Sequence, residues 1–200
     1  MAKVLCKTRT LILLTALLLT GCQSSTGLLG PADETLAAGE LIKAANVDLR
    51  AIKVLFNKHT NKRQELKNAM SADDAALVRK LSDEVVDIIN EGAAYGKSAL
   101  DKIDKARDMN VNEDYEEYLR LKWEALNNQL NAFEEYRQAA RKLRDSFDPK
   151  NARAKEEVKA DFESRSENFQ RLMERARDFS SQANDLAKEV HFRSRNEASK

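Results

Sequence analysis

The stretch VKADFESRSENFQRLMERARDFSSQANDLAKEV, residues 158–190, decides the fold. Along it, apolar side chains recur at alternating steps of four and three residues, the heptad spacing of a helix that packs against other helices. A charged residue, Arg165, stands at one of these positions. The apolar seam so defined comprises Val158, Phe162, Arg165, Phe169, Leu172, Ala176, Phe179, Ala183, Leu186 and Val190. The stretch therefore predicts a long amphipathic helix.

Three earlier segments carry a similar pattern, and none of them shows the alternation of a β-strand. The seam of the third predicted helix comprises Leu119, Trp123, Leu126, Leu130, Phe133, Tyr136, Ala140, Leu143 and Phe147. The seam of the second comprises Leu77, Leu81, Val85, Ile88, Tyr95, Ala99 and Ile103. The first is weaker, with Asp48 and His59 on or near a seam of Leu36, Leu41, Ala45, Ile52, Leu55 and Leu66.

Helix-start signals divide these segments at near-equal intervals. The signals are Gly30-Pro31 with Asp33-Glu34 in the first turn, and the candidate N-caps Ser71, in a capping box that runs to Asp74, Asn112, which Glu113-Asp114 follow, and Asp148, which Pro149 follows. Because short connections make sequential helices antiparallel, they predict an all-α protein, an elongated up-down-up-down four-helix bundle. The alternative is a three-helix, spectrin-like bundle with one continuous long helix. The turns near Ser71 and Pro149 would form one end, here called the distal tip. The start of the first helix and the end of the fourth would meet at the proximal end.

The first 21 residues have the parts of a cleaved leader. Lys3, Lys7 and Arg9 form a basic segment, and residues 10–20 carry no charge. This apolar run is too short to cross a bilayer, which takes about 20 apolar residues. The alternatives are an ordinary secretory signal with a chance cysteine, or a buried apolar helix.

The leader ends in Leu19-Thr20-Gly21-Cys22, which resembles the lipobox of bacterial lipoproteins. The resemblance implies cleavage before Cys22 and acylation of that cysteine, and two or more acyl chains anchor a protein stably. Gln23 stands where an aspartate would imply retention at the inner membrane. The resemblance thus implies an outer-membrane protein that faces the periplasm. The predicted organisation is a signal peptide over 1–21, the lipidated cysteine with a flexible spacer over 22–30, and a helical bundle over 31–200.

Composition limits the classes of partner. The leader carries three of the 34 basic residues and none of the 33 acidic ones, so the mature chain has a net charge near −2. Such a balance argues against nucleic acid as a partner and against general binding to anionic membranes. Cys6 leaves with the leader and Cys22 is acylated, so no disulfide is expected.

A cluster of basic residues near the distal tip is a candidate binding site for an acidic partner or an anionic polymer. The cluster is Lys58, His59, Lys62, Arg63 and Lys67. Further basic residues expected near the same tip are Arg141, Lys142, Arg144, Lys150, Arg153 and Lys155. The alternative is a solvated face whose charge is balanced by Asp73, Asp74, Glu156 and Glu157.

Small residues in the second helix suggest a groove. Gly92 and Gly96 stand in mid-helix, where glycine costs about 1 kcal/mol relative to alanine. They are expected at the level of Trp123, so they either leave a groove for a ligand or make room for that side chain.

Sequence signatures of catalysis and of metal binding are missing. The mature chain holds two histidines, His59 and His191, and no Glu-x-x-His pair, C-x-x-C-H, H-E-x-x-H, G-x-S-x-G or phosphate-binding loop. We therefore expect no enzyme, no metal and no cofactor.

The leading hypothesis is a non-catalytic outer-membrane lipoprotein that serves as a structural or interaction module for an envelope protein complex. One alternative is a tether that contacts peptidoglycan, either non-covalently through the basic residues at the distal tip or covalently through the terminal Lys200, in which the chain resembles the murein lipoprotein of enteric bacteria. The predicted topology, however, puts Lys200 at the membrane end. Another alternative is a small-ligand carrier or sensor that uses the groove near Gly92 and Trp123.

Overall fold

The computed structural model describes residues 33–197, and the side chains of residues 33–192. The leader, Cys22, the spacer and Lys200 lie outside the described residues, so the predictions made for them stay predictions.

Four α-helices account for almost all of the described chain. They are α1 (Thr35–Ser71), α2 (Ala75–Arg107), α3 (Glu113–Ser146) and α4 (Ala152–Glu197), and residues 33–197 contain no strand. The prediction of an all-α four-helix bundle is confirmed. The three-helix alternative is wrong, because each predicted break separates two helices.

Ion pairs between neighbouring helices demonstrate their antiparallel packing. Lys62 and Glu84 pair at 2.9 Å near the distal tip, and Asp48 pairs with Lys102 at 2.5 Å towards the proximal end. As residue numbers rise along α1 they fall along α2, which is the antiparallel register. Each helix packs mainly on its neighbours in sequence.

Two helices start close to their predicted positions. Oδ1 of Asn112 accepts a hydrogen bond from the N–H of Tyr115 at 2.9 Å, so Asn112 is the N-cap of α3, as predicted. Helix α1 begins at Thr35, whose N–H donates to Oδ1 of Asp33 at 2.8 Å. Asp33 and Glu34 therefore precede the helix and do not lie in its first turn, where the sequence pattern puts them.

The other two predicted caps are wrong by three residues each. Ser71 is the last residue of α1, and Asp74 caps α2 by accepting the N–H three residues on, at 2.9 Å. Asp148 lies in the turn before α4, and the side chain of Asn151 accepts the N–H three residues on, at 3.1 Å. Ser71 thus ends α1 and Asp148 lies in a turn, because reversal between antiparallel helices takes several residues of its own.

Small residues, which the sequence pattern overlooks, form much of the seam of α2. One line of buried positions recurs at steps of four and three and comprises Val78, Ser82, Val85, Ile89, Gly92, Gly96, Ala99, Ile103 and Ala106, with Leu81 and Val86 buried beside it. The predicted seam residues Leu81, Val85, Ala99 and Ile103 are therefore confirmed as buried. The predicted seam residues Leu77 and Tyr95 are 40% and 38% exposed. Gly92 and Gly96 are buried because Phe133 and Leu130 of α3 pack against them. A pattern based on large apolar residues misses these glycines and includes residues of the neighbouring helix face instead.

Arg165 does not lie in the seam of α4. Ser166 and Met173, which are 6% and 7% exposed, occupy the buried positions for which the spacing predicts Arg165 and Leu172. The Arg165 guanidinium instead pairs with Glu135 of α3 at 3.1 Å along the edge of the interface. The long side chain keeps its charge near water while its stem covers apolar surface.

Two glycines of α2 contact α3 at different distances. A Cβ added at Gly92 would lie 3.6 Å from Cε2 of Phe133, an ordinary van der Waals contact. A Cβ added at Gly96 would overlap the end of the Leu130 side chain, whose Cγ would be 3.1 Å away. Gly96 is therefore needed for close packing, and Gly92 is not.

We expect opposite effects on stability from the matched variants Gly92→Ala and Gly96→Ala. Alanine at position 92 should raise the free energy of unfolding by up to about 1 kcal/mol through helix propensity. Alanine at position 96 should lower it by about 1 kcal/mol, because overpacking outweighs that gain. Urea denaturation measures both. In a chain that already carries Leu130→Ala, Gly96→Ala should no longer lower the free energy of unfolding. Equal effects of the single variants Gly92→Ala and Gly96→Ala would contradict this packing.

Candidate functional site

The five basic residues predicted to bind a partner do not form one surface. His59 is buried, with 1% exposed, so its inclusion in a surface cluster is wrong. Lys62 pairs with Glu65 at 2.8 Å and with Glu84 at 2.9 Å. Lys58 and Lys67 are exposed but nine residues apart, which places them on opposite sides of α1. The charges that are close in sequence are thus dispersed around the helix.

His59 belongs to an aromatic layer that joins three helices. Its ring centroid lies 4.7 Å from that of Tyr136 on α3 and 5.6 Å from that of Phe169 on α4. The guanidinium carbon of Arg63, one turn further along α1, lies 4.6 Å from the Phe169 centroid and 5.0 Å from that of Tyr136. The cation–π contacts with these two rings stabilise the charge of Arg63, although its side chain is half-buried.

Burial sets the protonation states in this aromatic layer. Neither ring nitrogen of His59 has a hydrogen-bond partner among the described side chains and backbone. Burial, with a smaller contribution from the charge of Arg63, lowers the pKa of His59 to about 3. Burial raises the pKa of Tyr136 to about 12. Both are therefore uncharged at neutral pH, and His59 contributes to packing and not to a charged binding surface.

Acidic neighbours offset much of the positive charge at the distal tip. Arg144 pairs with Asp83 at 3.2 Å, and Lys155 pairs with Asp73 at 3.0 Å. These ion pairs favour the alternative of a solvated face whose charges are balanced.

Asp73 has a backbone φ of 55°, a left-handed conformation that reverses the chain between α1 and α2.

The predicted groove beside Gly92 and Gly96 is not open. Leu130 occupies the space that a side chain at Gly96 would take, and Phe133 packs at van der Waals distance from Gly92, so this prediction is corrected. Nor do the glycines make room for Trp123, which packs partly buried against the core with the Arg107 guanidinium carbon 5.3 Å from its ring centroid.

A different cavity lies at the proximal end, between α1, α3 and α4. Its volume is about 440 Å³, and Tyr115, Tyr118, Leu186 and Val190 contribute to its walls. We call it the proximal pocket. Sequence reasoning missed the two tyrosines because they precede the regular seam of α3; their spacing of three residues is the signal that could have found them.

An apolar line runs along the side of α1 that faces away from the core, here called the outward face. Leu36, Val47 and Val54 form it, with 81%, 56% and 57% of each residue exposed. Spacings of eleven and seven residues align them on a helix. The assignment of Leu36 to the apolar seam is therefore wrong. The spacing of the two valines signals this face in the sequence, but a search for a single seam discards it.

Among residues 33–192, no group of three or more histidine, cysteine, aspartate or glutamate side chains is placed to hold a metal ion. None of the described helices has the length and apolar character needed to span a membrane.

Comparison of the chain with protein-family models, with curated proteins and with solved structures finds no match.

We expect the protonation of His59 to destabilise the bundle in acid. From pH 6.5 down to about 3 the unfolded chain binds a proton at His59 that the folded chain does not. As the pH is lowered through this range, the free energy of unfolding should therefore decrease, by up to about 1.4 kcal/mol per pH unit from this residue. His59→Leu should remove that contribution and leave only the pH dependence of the unfolding free energy that comes from the carboxylates. Urea melts of parent and variant between pH 7 and 4 measure the difference; identical slopes would contradict it.

Proposed function

We propose that the chain is a non-catalytic, lipid-anchored protein of the outer membrane that docks a protein of the cell envelope on the periplasmic side. The observation that carries this proposal is the outward face of α1. Leu36, Val47 and Val54 expose apolar surface that the bundle does not need for its own core. Exposed apolar side chains that align along one helix face fit a partner helix whose apolar anchors repeat at the same spacing.

Charge next to the outward face indicates the chemistry of the partner. Lys58 follows Val54 after one helical turn and is exposed, so it extends the apolar line with a positive charge. A partner helix with an apolar stripe that ends in an acidic group would complement this arrangement. Of the basic residues singled out in the sequence, Lys58 thus keeps its proposed role in partner binding.

The anchor in this proposal is Cys22, on the resemblance of residues 19–22 to a lipobox. The structure supplies a self-contained bundle for such an anchor to carry, since the buried side chains of all four helices pack into one core. The peptidoglycan alternative gains no support, because Arg144 and Lys155 at the distal tip pair with aspartates.

Labelling with radioactive palmitate tests the anchor. We expect the parent chain to incorporate label and Cys22→Ala to lose it, because the thiol and the freed amine of Cys22 are the acylated groups. Cys6→Ala is the matched control and should stay labelled, because Cys6 leaves with the leader. Label that survives in Cys22→Ala, or disappears in Cys6→Ala, would contradict the proposal.

Site-specific photo-crosslinking in cells tests the docking face. A crosslinking residue at Val47 should give one discrete protein adduct, whereas the same residue at Ala94, exposed on α2, should not. Val54→Glu should weaken the Val47 adduct by about tenfold, because it puts a carboxylate into the apolar contact and beside the acidic group of the partner. The same adducts from both positions, or insensitivity to Val54→Glu, would contradict docking on this face.

A further inference from the structure

The interface of α4 with the rest of the bundle is closed in one half and open in the other. Towards the distal tip, Phe162 and Phe169 are each 2% exposed. Towards the proximal end, Leu186 and Val190 are only half-buried, although they continue the same seam, and Ala187 between them is exposed. These residues border the proximal pocket, so its apolar walls lack the packing that the distal half has.

The opposite wall of the proximal pocket is aromatic. Tyr115 and Tyr118 lie one turn apart on α3, with ring centroids 5.5 Å from each other, and both are half-buried. The hydroxyl of Tyr115 would lie 3.6 Å from a Cβ on Gly39. Tyr115 thus reaches α1 and forms a fixed wall between α1 and α3. At the rim, Nδ2 of Asn112 donates a hydrogen bond to Oγ1 of Thr35 at 3.4 Å.

We propose that the proximal pocket binds one acyl chain of a membrane phospholipid. Its volume of about 440 Å³ lies within the usual range for small-ligand sites. Aliphatic walls from α4 and aromatic walls from α3 match an alkyl chain in chemistry, while the polar residues Thr35, Asn112, Asp114 and His191 also line the pocket. The hydrogen-bonded rim suits the polar ester region where such a chain joins its headgroup.

The position of the pocket brings it to lipid. Thr35 lines the pocket and opens α1, two residues after the first described residue. Eleven residue steps separate Cys22 from Asp33, which limits their distance to about 40 Å even for an extended chain. This step rests on the proposed lipid anchor at Cys22. A tether of that length keeps the pocket at a high effective concentration of phospholipid.

Photoreactive fatty acid fed to cells tests the proposal on the full chain. The fatty acid enters phospholipids, and illumination should attach it to peptides containing Tyr115, Tyr118 or Leu186, as an adduct that carries a phosphate headgroup. Ala187→Trp should lower this adduct by about tenfold by filling the pocket. Ala160→Trp is the matched control, another exposed alanine of α4 far from the pocket, and should leave the adduct unchanged.

The possible outcomes separate the anchor from the pocket. Label on Cys22 without any adduct at the pocket overturns the pocket proposal and leaves the anchor standing. A headgroup-bearing adduct at the pocket without label on Cys22 supports the pocket and refutes the anchor. An adduct that joins the pocket to the Cys22 peptide overturns phospholipid as the occupant, since the chain's own lipid then fills the pocket. Equal effects of the two tryptophan variants also overturn it.

Discussion

The bundle closes on itself through the aromatic layer around His59. Helices α1 and α4 are not neighbours in sequence, and their backbones stay further apart than those of adjacent helices. Long side chains bridge them: His59 and Arg63 of α1 contact the ring of Phe169 of α4, and Tyr136 of α3 packs against all three. Aromatic pairs add about 0.5–1.5 kcal/mol each beyond the area they bury. Further along α4, the half-buried Leu186 and Val190 and the exposed Ala187 face α1 and α3 across the proximal pocket.

Much of the fold could be predicted because large apolar side chains mark the core of α3 directly. Leu119, Phe133, Tyr136 and Leu143 are all buried, as their spacing predicts. The seam of α2 was predicted only in part: Leu81, Val85 and Ile103 are buried as expected, whereas the burial of Gly92 and Gly96 depends on the side chains that α3 packs against them. The N-caps were predicted less well than the helices. Aspartate, asparagine and serine serve both turns and caps, so their presence alone does not indicate which role they play.

The candidate sites were harder to predict, since each depends on contacts distant in sequence. The basic cluster looked continuous because its charges are close along the chain, yet His59 turns inward to rings from α3 and α4. The outward face and the proximal pocket show the opposite problem. Val47 and Val54 fall outside the predicted seam of the first helix, and Tyr115 and Leu186 come together only when α3 and α4 pack. The sequence shows the spacing of such residues, but it does not show which helix packs against them.

The outward face lies on the helix that begins nearest to the proposed anchor, and this has a mechanical consequence. A tension between the membrane and a partner held at Val47 and Val54 would enter at Asp33 and leave through the same helix. It would travel along the hydrogen bonds of α1, parallel to the helix axis. Helices α2, α3 and α4 would lie outside the path of the force. Loading of this kind stretches one helix and does not peel the bundle apart, so the partner could be held under strain while the core stays intact.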